Sequence, residues 1–138
     1  MKAVFTKVLV LVAVVAMFGC GDDEPPTSPT PTPPATVTDT FTGTLNRNGA
    51  ASHTFTAAAS GSVTATLKSL SPNAELVVGL AVGIWNTGQC NVVLSRDRAT
   101  QSTVIFANVN APGELCVRVY DVGNVVDPTE YSLEVVHP

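Results

Sequence analysis

The sequence predicts an all-β protein, an antiparallel β-sandwich of about eight strands in a jelly-roll-like arrangement, and three observations carry that expectation. Apolar and polar residues alternate with period two in one run after another. Turn-forming residues separate those runs at regular intervals. Within the region from Val37 onward, no segment combines a helical period with helix caps.

The runs can be taken in order. Phe41, Gly43 and Leu45 alternate with Thr40, Thr42 and Thr44. A second strand fits around His53–Ala58, and in a third Val63, Ala65 and Leu67 alternate with Thr64, Thr66 and Lys68. Leu76 to Trp85 is apolar nearly throughout, as expected of a central strand covered on both faces. Further strands fit around Asn91–Ser95 and Ser102–Ala107. Leu115, Val117 and Val119 then alternate with Cys116, Arg118 and Tyr120, and Tyr131, Leu133 and Val135 with Ser132, Glu134 and Val136. Asn48-Gly49, Ser60-Gly61, Ser71-Pro72-Asn73, Thr87-Gly88, Pro112-Gly113 and Gly123-Asn124 mark the turns. Short, evenly spaced strands of this kind are the pattern of a sandwich.

The N-terminus has a different character. Lys2 and Lys7 precede an uncharged run of 12 residues, Val8 to Gly19. A basic segment, a short apolar segment and a small residue before the cut describe a secretory signal peptide. Spanning a bilayer takes about 20 apolar residues, so a permanent transmembrane helix is disfavoured. Met17-Phe18-Gly19-Cys20 resembles the lipobox of bacterial lipoproteins. The resemblance implies a leader over residues 1–19 and a diacylglycerol thioether on Cys20, which becomes the new N-terminus and a membrane anchor. Two acyl chains, at about 0.8 kcal/mol per buried CH₂, are enough for stable anchoring. The competing reading is an ordinary secreted chain with Cys20 as a stray thiol. Gly21 rather than Asp follows Cys20, which by analogy with lipoprotein sorting favours the outer membrane of the cell envelope.

Residues 20–36 carry Cys20 and then a Pro/Thr-rich linker with no apolar period. Proline at this density favours extended polyproline II at about 3.1 Å per residue, a tether of roughly 45 Å. Its Thr/Ser/Pro composition also permits O-glycosylation. The remaining 102 residues, 37–138, suffice for one domain with one core. Five basic and eight acidic residues fall in this region, a charge of −3. That balance argues against nucleic acid or anionic lipid headgroups as partners.

Cys90 and Cys116 remain once Cys20 is assigned to lipid, and in an exported chain two cysteines most simply pair. Closing a loop of about 26 residues contributes up to about 3.5 kcal/mol in the chain-entropy model. Cys116 lies out of phase with Leu115, Val117 and Val119, which places the bridge on an outer face or edge, joining the Gly88-Gln89-Cys90 loop to the strand. A metal or redox role for two free thiols would require a CxxC spacing or a nearby His, and the sequence has neither.

Phe41-Thr42-Gly43-Thr44-Leu45, Ala51 to Thr56 and Gly61 to Leu67 resemble the bacterial pre-peptidase C-terminal (PPC) domain, as do Ala111 to Tyr120 and Tyr131 to Val135. Cys90 together with Cys116 to Asn124 and the final Val-Val-His-Pro looks like small lipoproteins that carry such a domain alone. The resemblance implies a non-catalytic sandwich, with extracellular polymer, protein or glycan as partner and calcium as a cofactor in some relatives. The nearest match to a calcium site is Asp121, Asn124 and Asp127 in one loop. Calcium takes six to eight oxygens, and the plainer reading of the same residues is Asx chemistry shaping a turn.

Catalytic constellations are thin. The histidines are His53 and His137, the latter penultimate in the chain, where fraying is common. Ser52 beside His53 makes no triad, because adjacent strand residues point to opposite faces. No GxSxG, HExxH, P-loop or dinucleotide fingerprint occurs. Trp85, the sole tryptophan, is the candidate ligand-binding residue, as a platform for a sugar ring or partner, or else completes the core. The sequence thus leads to the expectation of a membrane-anchored, non-enzymatic module that binds or spaces something in the envelope or outside it, with a hydrolase as the less favoured alternative.

Overall fold

The alternation read along the chain becomes an inside and an outside in the structure, a computed structural model that describes residues 28–138. The leader expected over residues 1–19, Cys20 and the linker as far as Thr27 lie outside the described residues. Eight strands follow: β1 Val37–Leu45, β2 Ala50–Ala57, β3 Gly61–Ser71, β4 Val78–Asn86, β5 Gln89–Ala99, β6 Val104–Val109, β7 Gly113–Tyr120 and β8 Thr129–His137. They form two four-stranded antiparallel sheets of order β1-β8-β3-β6 and β2-β7-β4-β5. Every connection except the β4–β5 hairpin passes from one sheet to the other, which is the double Greek key of a jelly roll. All eight strands fall within one compact unit, Thr32–Pro138.

The core lies between the sheets. Val63, Ala65 and Leu67 of β3 and Leu133 and Val135 of β8 meet Leu80, Val117 and Val119 of the second sheet, all essentially inaccessible. The intervening Thr and charged residues face out, because successive strand side chains alternate. Each fully buried Val or Leu contributes about 1.5–3 kcal/mol relative to exposure. No buried side-chain nitrogen or oxygen among the described residues lacks a partner.

The strand expectations require four adjustments. His53 lies within β2 rather than opening it, and β5 extends well beyond Asn91–Ser95. Leu76 and Val77 belong to the connection before β4, where the Leu76 amide donates to the Asn73 carbonyl at 3.3 Å. The C-terminal residues pack into the sandwich. His137 is only 3% exposed, and the Pro138 carbonyl accepts from the Ala58 amide at 2.8 Å, tying the last residue to the β2–β3 turn.

The β4–β5 hairpin turns at Thr87 and Gly88, with φ of 49° and 80°. Two positive φ values are what a two-residue type I′ turn requires. Thr at the first of them is an unusual choice, because a β-branched side chain disfavours the left-handed region.

Candidate functional site

At one end of the sandwich lie the β4–β5 hairpin tip, the β2–β3 and β6–β7 turns, and the point where Val37 enters opposite His137. Here, on the β5/β6 side, the two sheets part and leave a cleft of about 670 Å³. Its walls are the inner faces of both sheets: Val63, Ala107 and Val109 from one, Val82, Ile84 and Leu115 from the other. Ile84 shows what this means. It continues the inward phase of Val78, Leu80 and Val82, yet is 53% exposed because nothing from the opposite sheet covers it. A Cβ on Gly113 would meet no atom within 4 Å, so this strand start leaves the space open too. Val93 and Leu94 of β5 form the outer lip, and Val93 is 65% exposed.

Trp85 also lines this cleft. It is half-buried, takes no part in the buried core and stands out of phase with Ile84, so it borders the cleft without completing the interior. Asn110 and Glu114 also border the cleft, and Glu114 is the only charged residue among the described residues that line it.

The outer face of the same sheet is shaped by the Cys90–Cys116 disulfide. The two cysteines stand on β5 and β7, with β4 between them, yet their Cα atoms are 5.7 Å apart. Strands flanking a third normally lie about 9–10 Å apart, so β5 must leave the sheet plane and fold over β4. Gly83 permits this. A Cβ there would lie 2.1 Å from the Asn91 carbonyl oxygen, so only a residue without a side chain lets β5 cross. The register shift between Val82 and Gly83 leaves Val93 as the extra residue. The bridge sits on the outer face, as the phase of Cys116 implies, but Cys90 belongs to strand β5, and the crossing strand leaves Cys116 fully buried. Nearby, Tyr120 covers Gly79 and its hydroxyl donates to the Asp97 carboxylate. Burial and that hydrogen bond both hold the Tyr120 phenol above its usual range.

The loop proposed for calcium lies at the opposite end, after β7. Asp121 Oδ1 accepts from the amides of Gly123, Asn124 and Val125 at 2.7, 2.8 and 3.0 Å. Its Oδ2 accepts from the Asn48 amide at 2.8 Å. Those donors, the Val125 amide foremost, pull the Asp121 pKa from 3.8 to about 2. Asn124 turns its amide nitrogen to the Val77 carbonyl at 3.0 Å, and Asp127 takes part through its carbonyl, which accepts from the Thr129 hydroxyl at 3.1 Å. The side chains of Asp121 and Asn124 are therefore engaged in shaping the loop and in tying it to the β1–β2 and β3–β4 connections. No cluster of three His, Cys, Asp or Glu suited to a metal occurs among the described residues.

The histidines lie between the sheets on the β1/β2 side. Phe41 of β1 stacks on His53 at 4.8 Å between centroids, and His53 Nε2 and the Tyr131 hydroxyl share a hydrogen bond of 2.8 Å. Burial lowers the His53 pKa below 6.5 and raises that of Tyr131. His137 packs on Phe55 at 5.0 Å, and its Nε2 lies 3.0 Å from Asp39 Oδ2. Each ring is thus engaged in packing.

From the sequence, only Trp85 pointed to the cleft. Ile84, Val93, Leu94 and Glu114 were missed, although an apolar residue keeping the inward phase to the end of β4 was a signal for the open end. No protein-family profile matches this chain, and no curated protein matches it either.

Proposed function

We propose that this chain is an exported, lipid-anchored protein whose sandwich is a non-catalytic binding module acting through the cleft at the β5/β6 side. The observation that carries the reading is that the hydrophobic core runs on into an open, apolar-walled cavity instead of closing over Ile84. Ligand sites are typically concave, mostly apolar spaces of about 300–1,000 Å³ with a few polar groups at the rim. The leader pattern and Cys20 support export and anchoring to the cell envelope, with the outer membrane favoured by Gly21. The engagement of both histidines in packing supports a non-enzymatic role over the hydrolase alternative. The PPC-like strand motifs support an appended or free-standing sandwich.

Two measurements test this. Labelled palmitate supplied to expressing cells enters the wild-type chain and not Cys20→Ser; label in both, or in neither, removes the anchor. Nile red, a neutral apolar dye, fluoresces saturably with the soluble chain beginning at Gly21 and loses that response in Ile84→Asp. Equal signals from the two proteins remove the cleft as the binding site.

A further inference from the structure

We infer that the free edge of β1 is a dimerisation surface, on which a second copy of this chain adds its own β1 as an antiparallel neighbour. β1 stands at the opposite edge of its sheet from β6, which borders the cleft. Neither the inference nor its test therefore depends on the reading of the cleft.

The strands β1, β6, β2 and β5 end the two sheets, and they are not alike. β5 is interrupted by the extra residue at Val93 and carries Arg96, Asp97 and Arg98 in its farther half. Bulges and charges are what natural edges carry against further pairing. β6 is only six residues long. β1 runs for nine residues, and each of them is matched to β8 without a register shift. It contains no proline and one charge, Asp39, whose Oδ2 lies 3.0 Å from His137 Nε2 of the same sheet. In an antiparallel edge strand, alternate residues turn both N–H and C=O away from the sole neighbour. Among the described residues, no hydrogen bond from outside β8 reaches the backbone of β1. Such a row of free groups is a template for a further strand.

The residues of β1 suit it to pair with itself. A two-fold axis through Phe41 sets Thr38 opposite Thr44 of the second copy, and Thr40 opposite its Thr42. All four threonines are exposed on the outer face, and Thr–Thr pairs are among those that stabilise adjacent strands. On the inner face Phe41 meets Phe41, Asp39 meets Gly43 and Val37 meets Leu45, so no like charges stand opposite each other. Phe41 stacks on His53 but is only partly buried, and its counterpart in the second copy covers what remains. β2 is a regular edge as well, but its outward residues are Ala50, Ser52, Thr54 and Thr56. Only two of those are β-branched, against four in β1, and β-branched side chains pack best on a pleated surface.

The test is sedimentation equilibrium of the soluble chain from Gly21, which retains all eight strands, from micromolar to millimolar concentration. The mean mass should rise from that of one chain toward two, and the outward amides of β1 should gain protection from hydrogen exchange over the same range. Thr40→Lys with Thr42→Lys sets like charges opposite each other across the two-fold axis and should weaken the dimer at least about ten-fold. Thr40→Lys with Thr42→Glu sets opposite charges there instead, and should dimerise no more weakly than the wild type. Both positions are exposed, so circular dichroism of the variants should match that of the wild type. A chain that stays monomeric throughout, or dimers equally tight in all three proteins, would overturn the inference. Dimers that survive these changes but are lost in Ser52→Lys with Thr54→Lys would move the interface to β2 and equally overturn it. Protection of the β1 amides that does not depend on concentration would do the same, because the edge would then be covered within one chain.

Discussion

The two long sides of the inter-sheet space are finished in opposite ways. On the β1/β2 side, rings from both sheets fill the gap: Phe41 on His53, His53 to Tyr131, and Phe55 on His137. On the β5/β6 side the same sheets end in Ile84, Val93 and Leu94 with nothing opposite. The strands on both sides obey the same alternation, so the difference does not lie in the pattern of apolar positions. It lies in side-chain size. Large rings bridge the distance between two sheets, whereas Ala107 and Gly113 cannot. A sandwich can therefore seal one edge and leave the other as a site without any change of topology.

The sharpest way to break this comparison is to truncate one residue on each side. Phe55 is 4% exposed, so Phe55→Ala should cost about 3–5 kcal/mol in urea unfolding. Ile84→Ala, on the open side, should cost about 1 kcal/mol or less, since much of its surface is already in water. Equal costs would mean that the cleft closes in solution.

The crossing of β5 over β4 should come next in magnitude. Removing both cysteines (Cys90→Ala with Cys116→Ala) should cost up to about 3.5 kcal/mol in the chain-entropy model. Amide exchange should rise first in residues 89–94, because there Gly83 lets the strand lie over the sheet without anchoring it. Uniform loss of protection across both sheets would contradict that localisation.

Smaller effects should follow pH, and they belong to the closed side and the far loop. The folded state holds His53 below 6.5, so the unfolded chain takes up that proton first. The stability tied to neutral His53 should be complete above about 6.5 and decline as pH falls through the lowered value. Asp121 behaves similarly at lower pH: its share should be present above 3.8 and lost as pH falls toward about 2. Melting scans of His53→Gln and Asp121→Asn should each flatten the corresponding part of the profile. A wild-type-shaped curve in either variant would detach that residue from it.

The smallest expected effect is none. Excess calcium should leave the melting midpoint unchanged, because Asp121 already receives four backbone amides. A rise in the midpoint that is lost in Asp121→Asn would restore the loop as a cation site.

Much of this was legible along the chain. Alternation gave four of the strands, since a two-residue period has one physical meaning when one face is buried and the other wet, and a nearly unbroken apolar run gave β4. Cys116 falling out of phase with Leu115 and Val117 assigned the bridge to an outer face or edge. The sequence also marked the turns, down to Thr87-Gly88.

Other features belonged to the tertiary structure alone. That Gly83 is the point where β5 crosses depends on which strand lies between the two cysteines, and strand order is not local information. That His137 is buried depends on Phe55, which lies far away in the chain. The engagement of Asp121 with backbone amides depends on where four N–H groups converge, one of them from Asn48 in a different connection. The sequence by itself determined the strands, their faces and the existence of a core, because those follow from each residue's immediate neighbours. Which edge of that core stayed open was decided only when the sheets came together, because the gap between two sheets is set by residues far apart in the chain.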